Sequence, residues 1–101
     1  MSQITVYILF NGYQREVNVS KTDSVRSLMT KVFEEFDISP KYYGKDKYQL
    51  TVGIDVINKD ENELNKTLEE VYIEEDAVCC LINVSAVQWG QYFKHFFKEI
   101  K

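Results

Sequence analysis

The sequence predicts an α+β domain, a mixed sheet of four to five strands packed on one helix, with an amphipathic helix added at the C-terminus. Three patterns predict it. Apolar residues alternate with period two through residues 4–19, recur at helical spacing through 25–36, and run without a break through 77–84. The chain has 101 residues, 45% of them hydrophobic and 28% charged, enough for one domain with its own core. That composition excludes a wholly disordered chain.

Residues 4–10, Ile-Thr-Val-Tyr-Ile-Leu-Phe, are β-branched and aromatic with no breaker. Ile4, Val6, Ile8 and Phe10 fall on one face, and Thr5, Tyr7 and Leu9 on the other. Asn11-Gly12 is a strong turn signal because both residues tolerate positive φ. Residues 15–19 alternate and put Val17 and Val19 on one face, so 3–20 reads as a β-hairpin.

Lys21-Thr22-Asp23-Ser24 is a cluster of helix-capping types. Behind it Val25, Leu28, Met29, Val32, Phe33 and Phe36 form one apolar stripe, which predicts a helix over 25–36. Ser39-Pro40 is expected to stop it, since a residue before proline is pushed out of the α region. Residues 41–47 read as a polar loop, 48–52 as a strand broken at Gly53 and resumed over 54–57, and 58–62 as an acidic turn. Residues 66–73, with apolar Leu68, Val71 and Ile73, suit a short irregular or single-turn segment.

Residues 77–84 read as a central strand buried on most of both sides, with Cys79 and Leu81 on one face and Val78, Cys80 and Ile82 on the other. Trp89, Tyr92, Phe93, Phe96, Phe97 and Ile100 then repeat the helical spacing, opposite Gln91, Lys94, His95, Lys98, Glu99 and Lys101. They predict a helix over 88–100, and the expected division is a domain at 1–84 followed by an aromatic amphipathic helix within 85–101.

A hairpin, one amphipathic helix, a strand and a long central strand is the order of the β-grasp fold. Lys66-Thr67-Leu68-Glu69-Glu70-Val71-Tyr72-Ile73-Glu74-Glu75-Asp76 resembles the ubiquitin-like segment Thr-Leu-x-Asp-Tyr-x-Ile-x-x-Glu, followed there as here by the last strand. Residues 19–32 look like the start of ubiquitin's helix: strand end, polar capping residues, then apolar residues three and four apart. The resemblance covers residues 3–84 and implies a ubiquitin-like β-grasp domain, with the Thr67-Leu68 turn and Ile73 plugging the core beside the helix. Three departures stand out. Ile82-Asn83-Val84-Ser85 carries no Gly-Gly for adenylation or isopeptide transfer, Thr51 stands where ubiquitin presents its central patch isoleucine, and the aromatic C-terminal segment has no counterpart. The apolar Ile82 remains beside Thr51 in that patch. The YukD-like proteins of bacterial type VII secretion systems share the small size, the strand-helix-strand order and an acidic segment ahead of the final strand. Ten lysines against two arginines suit an AT-rich bacterial genome.

The net charge of −4 repels phosphate backbones and argues against nucleic acid as a partner. Charge is uneven: residues 55–76 hold two basic and nine acidic groups, and residues 77–101 three and one. No apolar run reaches the roughly 18 residues of a membrane span, and the N-terminal residues do not read as a secretory signal. Cys79 and Cys80 are adjacent, so in a strand they point to opposite faces; two free, buried thiols point to a reducing compartment, the cytoplasm.

Chemistry is not apparent. His95 is the one histidine and falls on the polar side of the terminal stripe, and apolar neighbours of Cys79 and Cys80 should silence both thiols. Two adjacent cysteines and one histidine do not make a zinc site, the acidic stretch lacks the order of a Ca²⁺ loop, and four scattered glycines make no phosphate loop. The expectation is no catalysis, no cofactor and no metal. The terminal stripe can fold back on its own domain over Tyr7, Leu9, Val78, Cys80 and Ile82, dock on a protein partner or a second copy, or lie on a membrane surface, for which three lysines are a modest anchor. Candidate protein-binding residues are Trp89, Tyr92, Phe93, Phe96, Phe97, Ile100, Ile82 and Thr51. The function expected is a non-catalytic ubiquitin-like interaction module, an accessory of a bacterial secretion system. The alternatives are a covalent modifier or sulfur carrier needing C-terminal processing, and a small enzyme using Cys79 or His95.

Overall fold

Asn11 and Gly12 take φ of 51° and 79°, the doubly left-handed geometry that lets a two-residue turn match the twist of its strands. They join β1 (Gln3–Phe10) to β2 (Tyr13–Ser20) in antiparallel register, from Gln3 opposite Ser20 to Phe10 opposite Tyr13. The fold is that of a computed structural model, which describes residues 3–39 and 47–84. The expected alternation holds: Ile4, Val6, Ile8, Val17 and Val19 are buried, each on the face toward the helix.

α1 (Val25–Glu35) starts at Ser24, whose Oγ accepts the Ser27 N–H at 3.1 Å. Val25, Leu28, Met29, Val32 and Phe33 are its buried stripe. The helix ends at Glu35, short of the expected residue 36 and well before Pro40. Asp37 takes a left-handed φ of 55°, and two bonds close the end, Ile38 N–H to Phe33 C=O at 2.8 Å and Asp37 N–H to Glu34 C=O at 3.3 Å. This is a Schellman closure with aspartate in the place glycine usually takes. Phe36 caps the helix and still packs inward, its ring edge-on to Phe10 at 5.1 Å. Tyr48 meets Phe10 and Phe33 at 5.9 and 5.5 Å, so aromatic rings close this end of the core.

β3 (Tyr48–Val52) turns at Gly53, φ 61°, into β4 (Asp55–Val56). The strand expected over 54–57 is only two residues long, because Gly53 and Ile54 are both consumed by the turn, and Ile54 is 97% exposed there. Asn58, expected in an acidic turn, is instead a buried amide. Its Oδ1 accepts the Leu50 N–H at 2.9 Å and its Nδ2 donates to the Tyr48 C=O at 3.0 Å, replacing the pairing that β4 no longer supplies. The residues that follow form α2 (Glu61–Leu64), one turn of helix where a plain turn was expected. Asp60 caps it by accepting the Glu63 N–H at 2.9 Å, and Glu61 pairs with Arg26 of α1.

Residues 66–73 form the irregular turn expected. Val25 N–H donates to Lys66 C=O and Leu68 N–H to Asp23 C=O, both at 2.9 Å, which stitches the turn to the start of α1. Leu68 and Ile73 are fully buried under it. β5 (Ala77–Asn83) then runs between β1, to which it is parallel, and β3, to which it is antiparallel. The sheet order is β2-β1-β5-β3-β4. β5 is central, yet it is buried on one side only: Cys79 and Leu81 are buried against α1, whereas Val78 is 50% exposed and Cys80 and Ile82 are half-buried. Among the described residues no element packs on that second side. The loop expected over 41–47, apart from Lys47, and the helix expected over 88–100 lie outside the described residues.

Candidate functional site

Strand alternation places every second residue of β1, β5 and β3 on the sheet face opposite α1. Register then sets the neighbours: Tyr7 lies opposite Val78, Leu9 opposite Cys80, Cys80 opposite Thr51, and Ile82 opposite Gln49. Tyr7, Leu9, Val78, Cys80 and Ile82 form an apolar strip two strands wide along the middle of the sheet. Exposed Gln14, Glu16 and Asn18 of β2 border it on one side, and Gln49 and Thr51 of β3 on the other.

The strip is not electrically uniform. At the end where β5 begins, Glu16 pairs across from Tyr7, Glu75 Oε1 accepts the Thr5 N–H at 3.0 Å, and Asp76 N–H donates to Thr5 C=O at 2.8 Å. Asp76 above all, then burial, Glu16 and Glu75, push the Tyr7 phenol above its ordinary pKa. The face is apolar along its middle and negative at that end.

Thr51 and Ile82, two of the sequence-predicted binding residues, do share this face as diagonal cross-strand neighbours. Thr51 turns its Oγ1 toward the Cys80 C=O, 3.4 Å away. Trp89, Tyr92, Phe93, Phe96, Phe97 and Ile100, the others, lie outside the described residues. The acidic end formed by Glu16, Glu75 and Asp76 escaped sequence reasoning, because it depends on the parallel β1–β5 register. Period two already puts Leu9 and Val78 on this face, as cover for the terminal stripe and not as binding residues.

The two thiols separate. Burial, and then the neighbouring Cys80, push Cys79 from an ordinary 9.0 up to about 12, so it stays a protonated, inert core thiol. Cys80, expected to be buried as well, is half-exposed on the outer face because the alternation puts it on the uncovered side. A cleft of about 150 Å³ between β4, α2 and the turn at Val71 and Tyr72 is lined by Asp55, Lys59, Glu63, Lys66 and Glu70. It is below the roughly 300–1,000 Å³ of small-molecule sites. Among the described residues no group of three or more His, Cys, Asp or Glu side chains is placed to hold a metal ion, and no helix is long and apolar enough to cross a membrane.

No family model matches the chain, and no curated protein matches it. Solved structures do. The ubiquitin-like domain of an Arabidopsis thaliana protein is 20% identical, aligned over 83% of this chain and 80% of that one, with a TM-score of 0.68. The ubiquitin of Caldiarchaeum subterraneum is 19% identical over 81% of this chain and 94% of that one, with a TM-score of 0.64. A chain of the pParkin-pUb-UbcH7 complex is 13% identical over 80% of this chain and 23% of its own length, with a TM-score of 0.63. The fold is ubiquitin-like.

Proposed function

We propose that this chain is a non-catalytic ubiquitin-like module that recognises a protein partner through the outer face of its sheet. The observation that carries the reading is the apolar strip, with Leu9 36% and Val78 50% exposed on an otherwise well-paired sheet. Contiguous apolar surface of this kind marks recognition sites. The acidic end at Glu16, Glu75 and Asp76 favours a partner that sets basic side chains beside an apolar patch. Thr51 at the β3 border of the strip adds a hydroxyl where a larger apolar side chain would extend it, which selects against partners built to grip a wholly apolar patch.

Within this reading the chain serves as an accessory of a bacterial secretion system. The strand-helix-strand order and the acidic residues ahead of β5, both shared with YukD-like proteins, support that role. Two free thiols favour a reducing cytoplasm as its place of work.

Capture of the full tagged chain from its own cells, beside Leu9→Arg and Val78→Arg variants, tests the reading. Both substitutions add a charge on the exposed face and should leave circular dichroism unchanged. The expected result is one set of co-purifying proteins lost from both variants. Partners retained by both variants would overturn the outer face as the site.

A further inference from the structure

We infer that the cleft between β4, α2 and the turn at Val71 and Tyr72 is a second docking surface, fitted to a basic peptide segment with one apolar anchor. It is separate from the outer-face strip, because β3 stands between them: β4 lies two strands from β5, about 10 Å away. Two large apolar side chains mark it. Ile54 is 97% exposed and Tyr72 is 86% exposed.

Both stand where the backbone favours a different residue. Ile54 follows the left-handed Gly53 in the turn from β3 to β4, a place that turn chemistry gives to short polar side chains. Tyr72 is itself left-handed, with φ 64°. The turn closes there: Tyr72 N–H donates to Glu69 C=O at 3.1 Å and Ile73 N–H to Leu68 C=O at 2.9 Å. That closure sends Leu68 and Ile73 into the core and leaves the Tyr72 ring in water. Glycine or asparagine would take the same conformation with less strain. A bulky ring held wet at a strained position marks a surface used for contact.

The cleft joins the two. Asp55, next to Ile54 in the chain, and Tyr72 line the same hollow of about 150 Å³, together with Lys59, Glu63, Lys66 and Glu70. Such a volume takes the end of one side chain and not a cofactor. Charge selects which side chain. Lys66 is already paired with Glu63 at 2.9 Å, whereas among the described residues Asp55 makes no ion pair. The Thr67 N–H and hydroxyl both bond to Oε1 of Glu70, at 3.0 Å each. Residues 55–76 as a whole carry nine acidic groups against two basic ones, so an arginine or lysine is drawn in and an acidic segment is repelled. An apolar neighbour on the same segment then covers Ile54 and Tyr72 at the rim.

The test titrates a synthetic Ser-Arg-Arg-Leu-Arg-Arg-Ser peptide, up to millimolar concentration, into the isotope-labelled full chain and follows the backbone amide resonances. Shifts are expected to centre on residues 53–57 and 69–73. Tyr72→Asn, Ile54→Ser and Asp55→Asn should each weaken binding about fivefold, as contacts at the centre of an interface do. Tyr72→Asn should meanwhile keep a urea midpoint at least as high as that of the natural chain, since asparagine suits the left-handed backbone. Loss of binding in that variant is then not loss of fold. A peptide with glycine for leucine, or glutamate for arginine, should bind more weakly than the first. Equal affinity of the natural and Tyr72→Asn chains would overturn the inference. So would the absence of any shift at millimolar peptide, or equal binding of the glycine peptide, which would leave charge alone as the attraction. Shifts centred on Glu16, Glu75 and Asp76 would also overturn it, while the outer face would stand as the binding surface.

Discussion

The two faces of this sheet are made by the same strands one residue out of phase, and they have opposite physical chemistry. On the inner face Ile8, Leu50 and Cys79 lose all contact with water against α1. On the outer face their chain neighbours Leu9, Thr51 and Cys80 stay at least partly wet. Adjacent cysteines make the contrast sharpest, since one is held protonated by burial and the other meets solvent. A single peptide step divides stability from recognition here, because side-chain direction in a strand reverses at every residue.

The largest test of that division is Phe33→Ala against Leu9→Ala. The first empties a fully buried ring from the core and is expected to cost about 3–5 kcal/mol in urea unfolding. The second removes a partly wet side chain and should cost under about 1 kcal/mol; comparable losses would break the comparison. Next is Asn58→Ala, which strands the Leu50 N–H and the Tyr48 C=O and should cost about 1–3 kcal/mol, read by the same unfolding experiment.

Thiol chemistry sharpens the contrast further. Cys80 should react with a maleimide in the folded protein, and Cys79 only after unfolding. The Cys79 pKa is raised on folding, so its contribution to stability is whole below about 9 and declines as pH climbs from 9 toward about 12. Thermal melts across that range should fall less steeply for Cys79→Ala than for the natural chain. The smallest effect belongs to Glu70, whose carboxyl the Thr67 N–H and hydroxyl hold below its ordinary 4.5. Its contribution is present above that value and is lost as pH falls through the lowered one. Glu70→Gln should therefore narrow the difference in melting temperature between pH 7 and pH 3.

The hairpin and α1 were readable because their signals are local: Asn11-Gly12 specifies its own turn, and apolar spacing within each element names the buried side. The end of α1 was not, since the stop lies in the left-handed Asp37, a role composition assigns to glycine. Residues 54–60 misled for a phase reason. Two residues spent on the turn at Gly53 and Ile54 shift the following apolar residues, so Ile54 points to water while Ile57 and Asn58 go inside. The Asp60-x-x-Glu63 capping pair was a usable sign of α2. Of the outer face, Thr51 and Ile82 could be placed together by period two and by likeness to ubiquitin. Its negative end could not, because it is assembled by pairing strands some seventy residues apart.

Asn58 has a consequence for how these molecules behave together. By holding the Leu50 amide and the Tyr48 carbonyl, it fills the hydrogen-bonding positions that an incoming strand would need beyond the two residues of β4. One carboxamide thus guards a sheet margin against edge-to-edge polymerisation, a hazard that unpaired strand edges invite. Crowded in a cell, the protein can leave an oily surface open for recognition while that margin offers neighbouring copies no template to zip onto.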